Sequence, residues 1–135
     1  MSAHDYVSFL LINDSTLLVK KNCLGKQVNS ESFNFPSFDI KLGESKEEAL
    51  GRIFTNELSI NPTSYQFLCS VYQPGSKLKH IHYYIVSDWE DKESTKTPNK
   101  STWHSLQQSL PLGMKSDKVA IAEYQKQMSN ENTML

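Results

Sequence analysis

Between residues 43 and 48 the chain carries a helix start, and strand-forming runs lie on both sides of it. Gly43 and Glu44 break the preceding segment, Ser45 is an N-cap residue, and Glu48 three positions on completes a capping box. The helix is expected over residues 46–58, stopping ahead of Asn61-Pro62, since proline cannot continue it. Upstream, residues 6–12 and 16–20 are rich in strand formers and flank the turn chemistry of Asn13-Asp14-Ser15, which predicts a β-hairpin. Phe33, Phe35 and Phe38 surround Pro36 in an extended segment. Downstream, residues 65–72 and 80–86 read as two more strands around Pro74-Gly75.

Residues 91–101 form a polar, low-complexity loop, followed by Trp103 and a short amphipathic stretch to Leu110. A final helix is expected over residues 117–128, with Val119, Ile121, Ala122 and Met128 as its apolar residues and a polar tail over 129–135. The order is two strands, a helix, two strands, a loop and a helix. This predicts an α/β fold with a central mixed β-sheet sandwiched between helices, in a single domain over residues 1–128.

Bulk properties narrow the function classes. With 135 residues, 38% hydrophobic and 21% charged, the chain suits one globular domain. A formal net charge of −1 gives no general attraction to nucleic acid or anionic lipid. Cys23 and Cys69 lack the spacing of zinc ligands, and Cys69 reads as a small buried hydrophobe within Phe67-Leu68-Cys69. No basic-then-apolar leader opens the chain, and no apolar run approaches the roughly 20 residues that span a bilayer. A soluble, cytoplasmic protein without a membrane partner is expected.

His80 and His82 alternate on a predicted strand and therefore share a face, where they can serve as transition-metal ligands or line a pocket. No third ligand is evident nearby in the sequence. His104 beside Trp103 is equally ambiguous. Phe33, Phe35, Tyr72, Tyr83, Tyr84 and Trp103 are candidates for a nucleobase-stacking surface, although strands bury such residues as core.

Residues 33–60, FNFPSFDIKLGESKEEALGRIFTNELSI, resemble the Nudix box and its lead-in. Glu44, Arg52, Phe54, Glu57 and Ile60 stand where that family's pattern wants them. The opening VSFLLINDSTLLVKK is similar to the family's first hairpin, and WHSLQQSLPL to its tryptophan-then-LPL ending, so the resemblance covers nearly the whole chain. It implies a Nudix-like α/β/α sandwich. In active members, glutamates on one helix stripe hold magnesium or manganese against a diphosphate. Helical spacing puts positions 53, 56 and 57 on that stripe. Here they read Ile53, Asn56 and Glu57, with Phe38 in place of the first glycine, Lys41 ahead of Gly43-Glu44, and Ser59 in place of the closing glycine.

By this resemblance Glu44, Arg52 and Glu57 are the catalytic candidates, and Glu57 and Glu44 the metal ligands, with Mg2+ or Mn2+ as cofactor if the chain is active. Glu47 and Glu48 are potential substitutes. Phe38, Tyr72, His82 and Trp103 are the substrate-binding candidates. Two readings follow. One is an impaired Nudix-family domain that binds a nucleotide-like small molecule or a protein partner. The other is an active hydrolase cleaving the diphosphate of a nucleoside diphosphate derivative or nucleoside triphosphate.

Overall fold

Ser45 opens the first helix as its sequence predicts. Its side chain accepts the Glu48 N–H at 3.1 Å, and the Glu48 carboxylate accepts the Ser45 N–H at 3.1 Å, closing the capping box. Just before it, Gly43 takes φ +83°, a conformation that side-chain-bearing residues rarely adopt. In the computed structural model, which describes residues 4–13, 15–22, 32–58, 60–75, 77–91, 101–105, 112 and 115–133, this helix is α1, Lys46–Arg52. The predicted run to residue 58 persists in altered form: a π-helical turn, Ile53–Glu57, follows α1, and the Leu58 N–H donates back to the Ile53 carbonyl at 2.9 Å.

The strands are β1 (His4–Asn13), β2 (Thr16–Asn22), β3 (Ser32–Asn34), β4 (Ser37–Asp39), β5 (Ile60–Gln73), β6 (Lys79–Asp91) and β7 (Ser101–Ser105). The sheet runs β3-β2-β1-β6-β5, with β4 added on β1 and β7 on β2. β1 and β6 are parallel, and the other pairings are antiparallel, so the sheet is mixed as expected. The hairpin turn places Ser15 at φ +66°, and the Thr16 hydroxyl donates to the Asn13 carbonyl.

Sequence reading underestimated the strands. β5 begins at Ile60 and includes Pro62. It is an edge strand, where a missing N–H is tolerated, and its register shifts between Pro62 and Ser64. Trp103 lies on β7 rather than on an amphipathic segment, and residues 106–111 lie outside the described ones. The last helix, α2, is Lys115–Thr133, starting before residue 117 and running through most of the segment read as a tail.

Alternation along β1 and β6 divides the core in two. Val7, Phe9, Leu11, Tyr84 and Val86 pack under α1 with Ala49, Leu50, Ile53 and Phe54. Leu10, Ile81, Tyr83 and Ile85 face the other way, toward Phe35, Leu68, Ala120, Ile121 and Tyr124. β1 is buried on both faces, as a central strand must be. A polar network fastens α2 to the second face. The buried Asp117 carboxylate accepts the Phe35 N–H at 3.1 Å and the Tyr83 hydroxyl at 2.6 Å, and the Ser116 N–H donates to Gln73 at 2.9 Å. Burial pushes the Asp117 carboxyl above its ordinary value, against those two hydrogen bonds. Helix, mixed sheet and helix form the expected α/β/α sandwich.

Candidate functional site

Glu44 follows the Gly43 turn, and Arg52 ends α1, so loop and helix bring the two side chains together. Arg52 Nε donates to Glu44 Oε2 at 2.9 Å, and Nη2 donates to Oε1 at 3.0 Å, a bidentate pair. The same oxygen Oε1 accepts the Lys41 N–H at 3.0 Å, and Arg52 Nη2 also reaches the Asp39 carbonyl at 3.0 Å. These donors hold the Glu44 carboxyl at about 2, the Arg52 hydrogen bond first and the Lys41 N–H second. The guanidinium is raised in turn, chiefly by Glu44, with the charges of Asp39 and Glu57 adding. Both Glu44 oxygens are thus engaged in tying the loop to the helix.

The three positions of the expected metal stripe separate. Ile53 is fully buried in the core beneath α1, whereas Asn56 and Glu57 are exposed. The π turn accounts for part of this, because it widens the helix over residues 53–57 and alters the i, i+3, i+4 alignment on which the stripe depends. Glu48 is committed to its cap. Magnesium or manganese takes several oxygen ligands converging on one point. Among the described residues, no group of three carboxylate, imidazole or thiol side chains converges on this helix. The side chains present do not fit such an ion there.

The sheet face under α1 continues past the helix. On the edge strand β5, Tyr65 and Phe67 lie opposite Val86 and Tyr84, and after a register shift between Phe67 and Cys69, Ser70 and Tyr72 lie opposite His82 and His80 on the same face. Tyr65, Phe67 and Tyr72 are 47%, 50% and 59% exposed. Tyr65 packs its ring 5.5 Å from Phe54, Phe67 lies edge-on to Tyr84 at 5.5 Å, and Tyr72 stacks on His80 at 4.2 Å and 6°. A row of exposed rings offers faces for a planar heterocycle.

Of the substrate-binding candidates, Tyr72 and His82 come together on this face, on facing strands, Tyr72 opposite His80 and His82 opposite Ser70. His82 is buried, with its ring nitrogens 2.8 Å from the Ser70 hydroxyl and 3.2 Å from Asp5 Oδ1. Burial is the main cause lowering its pKa; the Asp5 hydrogen bond opposes this, and the charges of His80 and Lys46 add to it. Phe38 is partly buried and packs against the core, its ring 6.3 Å from that of Phe9. Trp103 pairs through its backbone with Leu18 on β2, and its side chain lies outside the described residues. Of the other aromatic candidates, Phe35, Tyr83 and Tyr84 are core. Cys69 is half-buried and packs against the α2 side of the core, where burial raises its thiol pKa; Cys23 and His104 fall outside the described side chains.

Residue-by-residue reading missed Asp5, Tyr65 and Phe67. Nothing local marks Asp5, since its partners lie on β6, and only the parallel pairing brings them close. Tyr65 and Phe67 were legible as strand residues, but their exposure follows from β5 being an edge.

No protein-family model and no curated protein matches the chain. Solved structures do. The chain is similar to the solution structure of the E. coli ORF135 protein, with a TM-score of 0.75 and 19% identity over 98% of this chain and 96% of that one. It is similar to a MutT NUDIX hydrolase from Burkholderia pseudomallei, with a TM-score of 0.68 and 15% identity over 91% and 98%. The NUDIX domain of Shewanella oneidensis NrtR, solved with ADP ribose, superposes with a TM-score of 0.61 and 14% identity over 95% and 90%. No helix among the described residues is long and apolar enough to cross a membrane. Through both layers of helix and the mixed sheet between them, this chain has the fold of the Nudix hydrolases.

Proposed function

We propose that this Nudix-fold protein binds a nucleotide-like ligand on the sheet face beside α1 and has lost metal-dependent diphosphate hydrolysis. The observation that carries the reading is the fate of position 53, where an aliphatic side chain is sealed into the core while Asn56 and Glu57 point to solvent. A hydrated dication gains nothing from such a surface. Glu44, engaged by Arg52 and Lys41, then serves to fasten the loop. The exposed rings of Tyr65, Phe67 and Tyr72 supply the ligand face, and the ADP ribose bound by the NrtR domain suggests a suitable probe.

Purified protein titrated with magnesium or manganese and given a panel of nucleoside diphosphate derivatives and nucleoside triphosphates should show no turnover in the ordinary enzymatic range of about 1–1,000 per second. Turnover in that range, abolished in Glu57→Gln, would establish the active hydrolase instead. On the binding side, ADP ribose measured by calorimetry should lose about tenfold in affinity in Phe67→Ala or Tyr72→Ala, since a stacked base is worth roughly 1–3 kcal/mol. Equal affinity in both variants and wild type removes the aromatic face from the proposal, and a protein partner becomes the reading to pursue.

A further inference from the structure

At the end of the same sheet face, beyond the core packed under α1, Asp5, His80 and His82 converge. Alternation along β6 puts the two histidines on one side, and the parallel register sets Asp5 opposite His80 and Val7 opposite His82. Asp5 Oδ1 lies 3.2 Å from His80 Nδ1 and 3.2 Å from His82 Nε2. One ligand atom from each residue falls within 4.8 Å of the other two. We infer that these three side chains form a binding site for a divalent transition-metal ion of the zinc class, separate from the Glu44–Arg52 clamp.

Ligand chemistry sets the class of ion. Two imidazole nitrogens and a carboxylate suit zinc, nickel or copper, whereas magnesium prefers oxygen ligands and keeps its waters. The spacing agrees as well. Donor atoms about 2.0–2.1 Å from a tetrahedral zinc lie roughly 3.3 Å from one another, close to the two 3.2 Å separations on Asp5.

Both rings are also held in place by neighbours that would not touch the metal. Ser70 bonds the far nitrogen of His82 at 2.8 Å, and Tyr72 stacks on His80 at 4.2 Å. Such outer contacts fix the tautomer and orientation of metal-binding histidines. Without metal, His82 Nε2–H donates to Asp5 and Nδ1 accepts from the Ser70 hydroxyl. On binding, the ion would take the Nε2 lone pair, the ring keeping its one proton on Nδ1 by tautomer exchange through solvent, and Ser70 would become the acceptor, a reversal that a hydroxyl permits. The His82 side chain is only 8% exposed, but His80 and Asp5 are 24% and 50% exposed. The site is therefore open on the Asp5 side, where a fourth position would take water or an anionic oxygen, as in zinc sites with three protein ligands.

The test uses the full chain, stripped with a chelator and titrated with Zn2+ alone by calorimetry, with bound metal counted by elemental analysis. One equivalent of zinc is expected. Asp5→Asn and His80→Ala, both at partly exposed positions, should keep the wild-type circular dichroism and each weaken zinc at least tenfold. Ser70→Ala should weaken it by about 10–100-fold while leaving one equivalent bound. Absence of saturable zinc binding, wild-type affinity in the Asp5→Asn/His80→Ala double variant, or displacement of zinc by equimolar magnesium would each overturn the assignment. None of these outcomes depends on whether a nucleotide binds.

Discussion

Glu44 illustrates how one carboxylate can satisfy a family pattern while serving the fold. Its carboxyl is held at about 2, far below the usual 4.5, by Arg52 and the Lys41 N–H. Because the folded-state pKa is lowered, the stabilisation is present in full above pH 4.5 and is lost as pH falls toward 2. A melting-temperature difference between wild type and Glu44→Gln should accordingly be flat above pH 5 and shrink between pH 4.5 and 2. A difference unchanged at low pH would mean that the clamp does not stabilise through the ionised carboxylate. On the opposite face, Asp117→Ala would strand the Phe35 N–H in the core, while the Tyr83 hydroxyl keeps Ser116 Oγ as a partner at 2.9 Å. One unsatisfied buried donor predicts a loss of about 1–3 kcal/mol in chemical denaturation. The sequence made Glu44 and Arg52 legible, because a motif fixes their spacing. Asp5 and Asp117 were not, because each meets its partners only after strands and helices far apart in the chain have packed.

The first helix was the most legible element, since Ser45 and Glu48 announce its start within four residues. What sequence could not announce was the π turn over Ile53–Glu57, because the residues themselves suit an ordinary helix and their placement is decided by the core beneath them. That turn makes restoration of the box unequal in its effects. Ile53→Glu would bury a carboxylate among Val7, Phe9 and Leu50 and should cost about 3 kcal/mol or more in a urea titration. Asn56→Glu lies in solvent and should stay within about 0.5 kcal/mol of wild type. A tolerated Ile53→Glu would mean that the side chain can swing outward and that the stripe is recoverable. β5 was under-read for a different reason: Pro62 argues against a central strand, and only its place at the edge makes it harmless.

Across the whole molecule, the mixed sheet between helices was legible from the order of strand and helix segments and from the Nudix resemblance, and the order of strands within the sheet was not. β1 contributes to pairings with β2, β4 and β6, and its parallel partner lies about 75 residues later. Contacts of that separation predict refolding from denaturant in the millisecond-to-second range, followed by stopped-flow tryptophan fluorescence. A microsecond phase carrying the full amplitude would contradict it. The same parallel pairing governs what happens during synthesis. At roughly 5–20 residues per second, the segment containing Phe9 leaves the ribosome on the order of ten seconds before Tyr84 can lie beside it. For that interval the most apolar strand of the protein can gather β2, β4 and α1 around it, but the edge that β6 will occupy stays open, an unpaired strand edge exposed to other chains until the later half of the protein arrives.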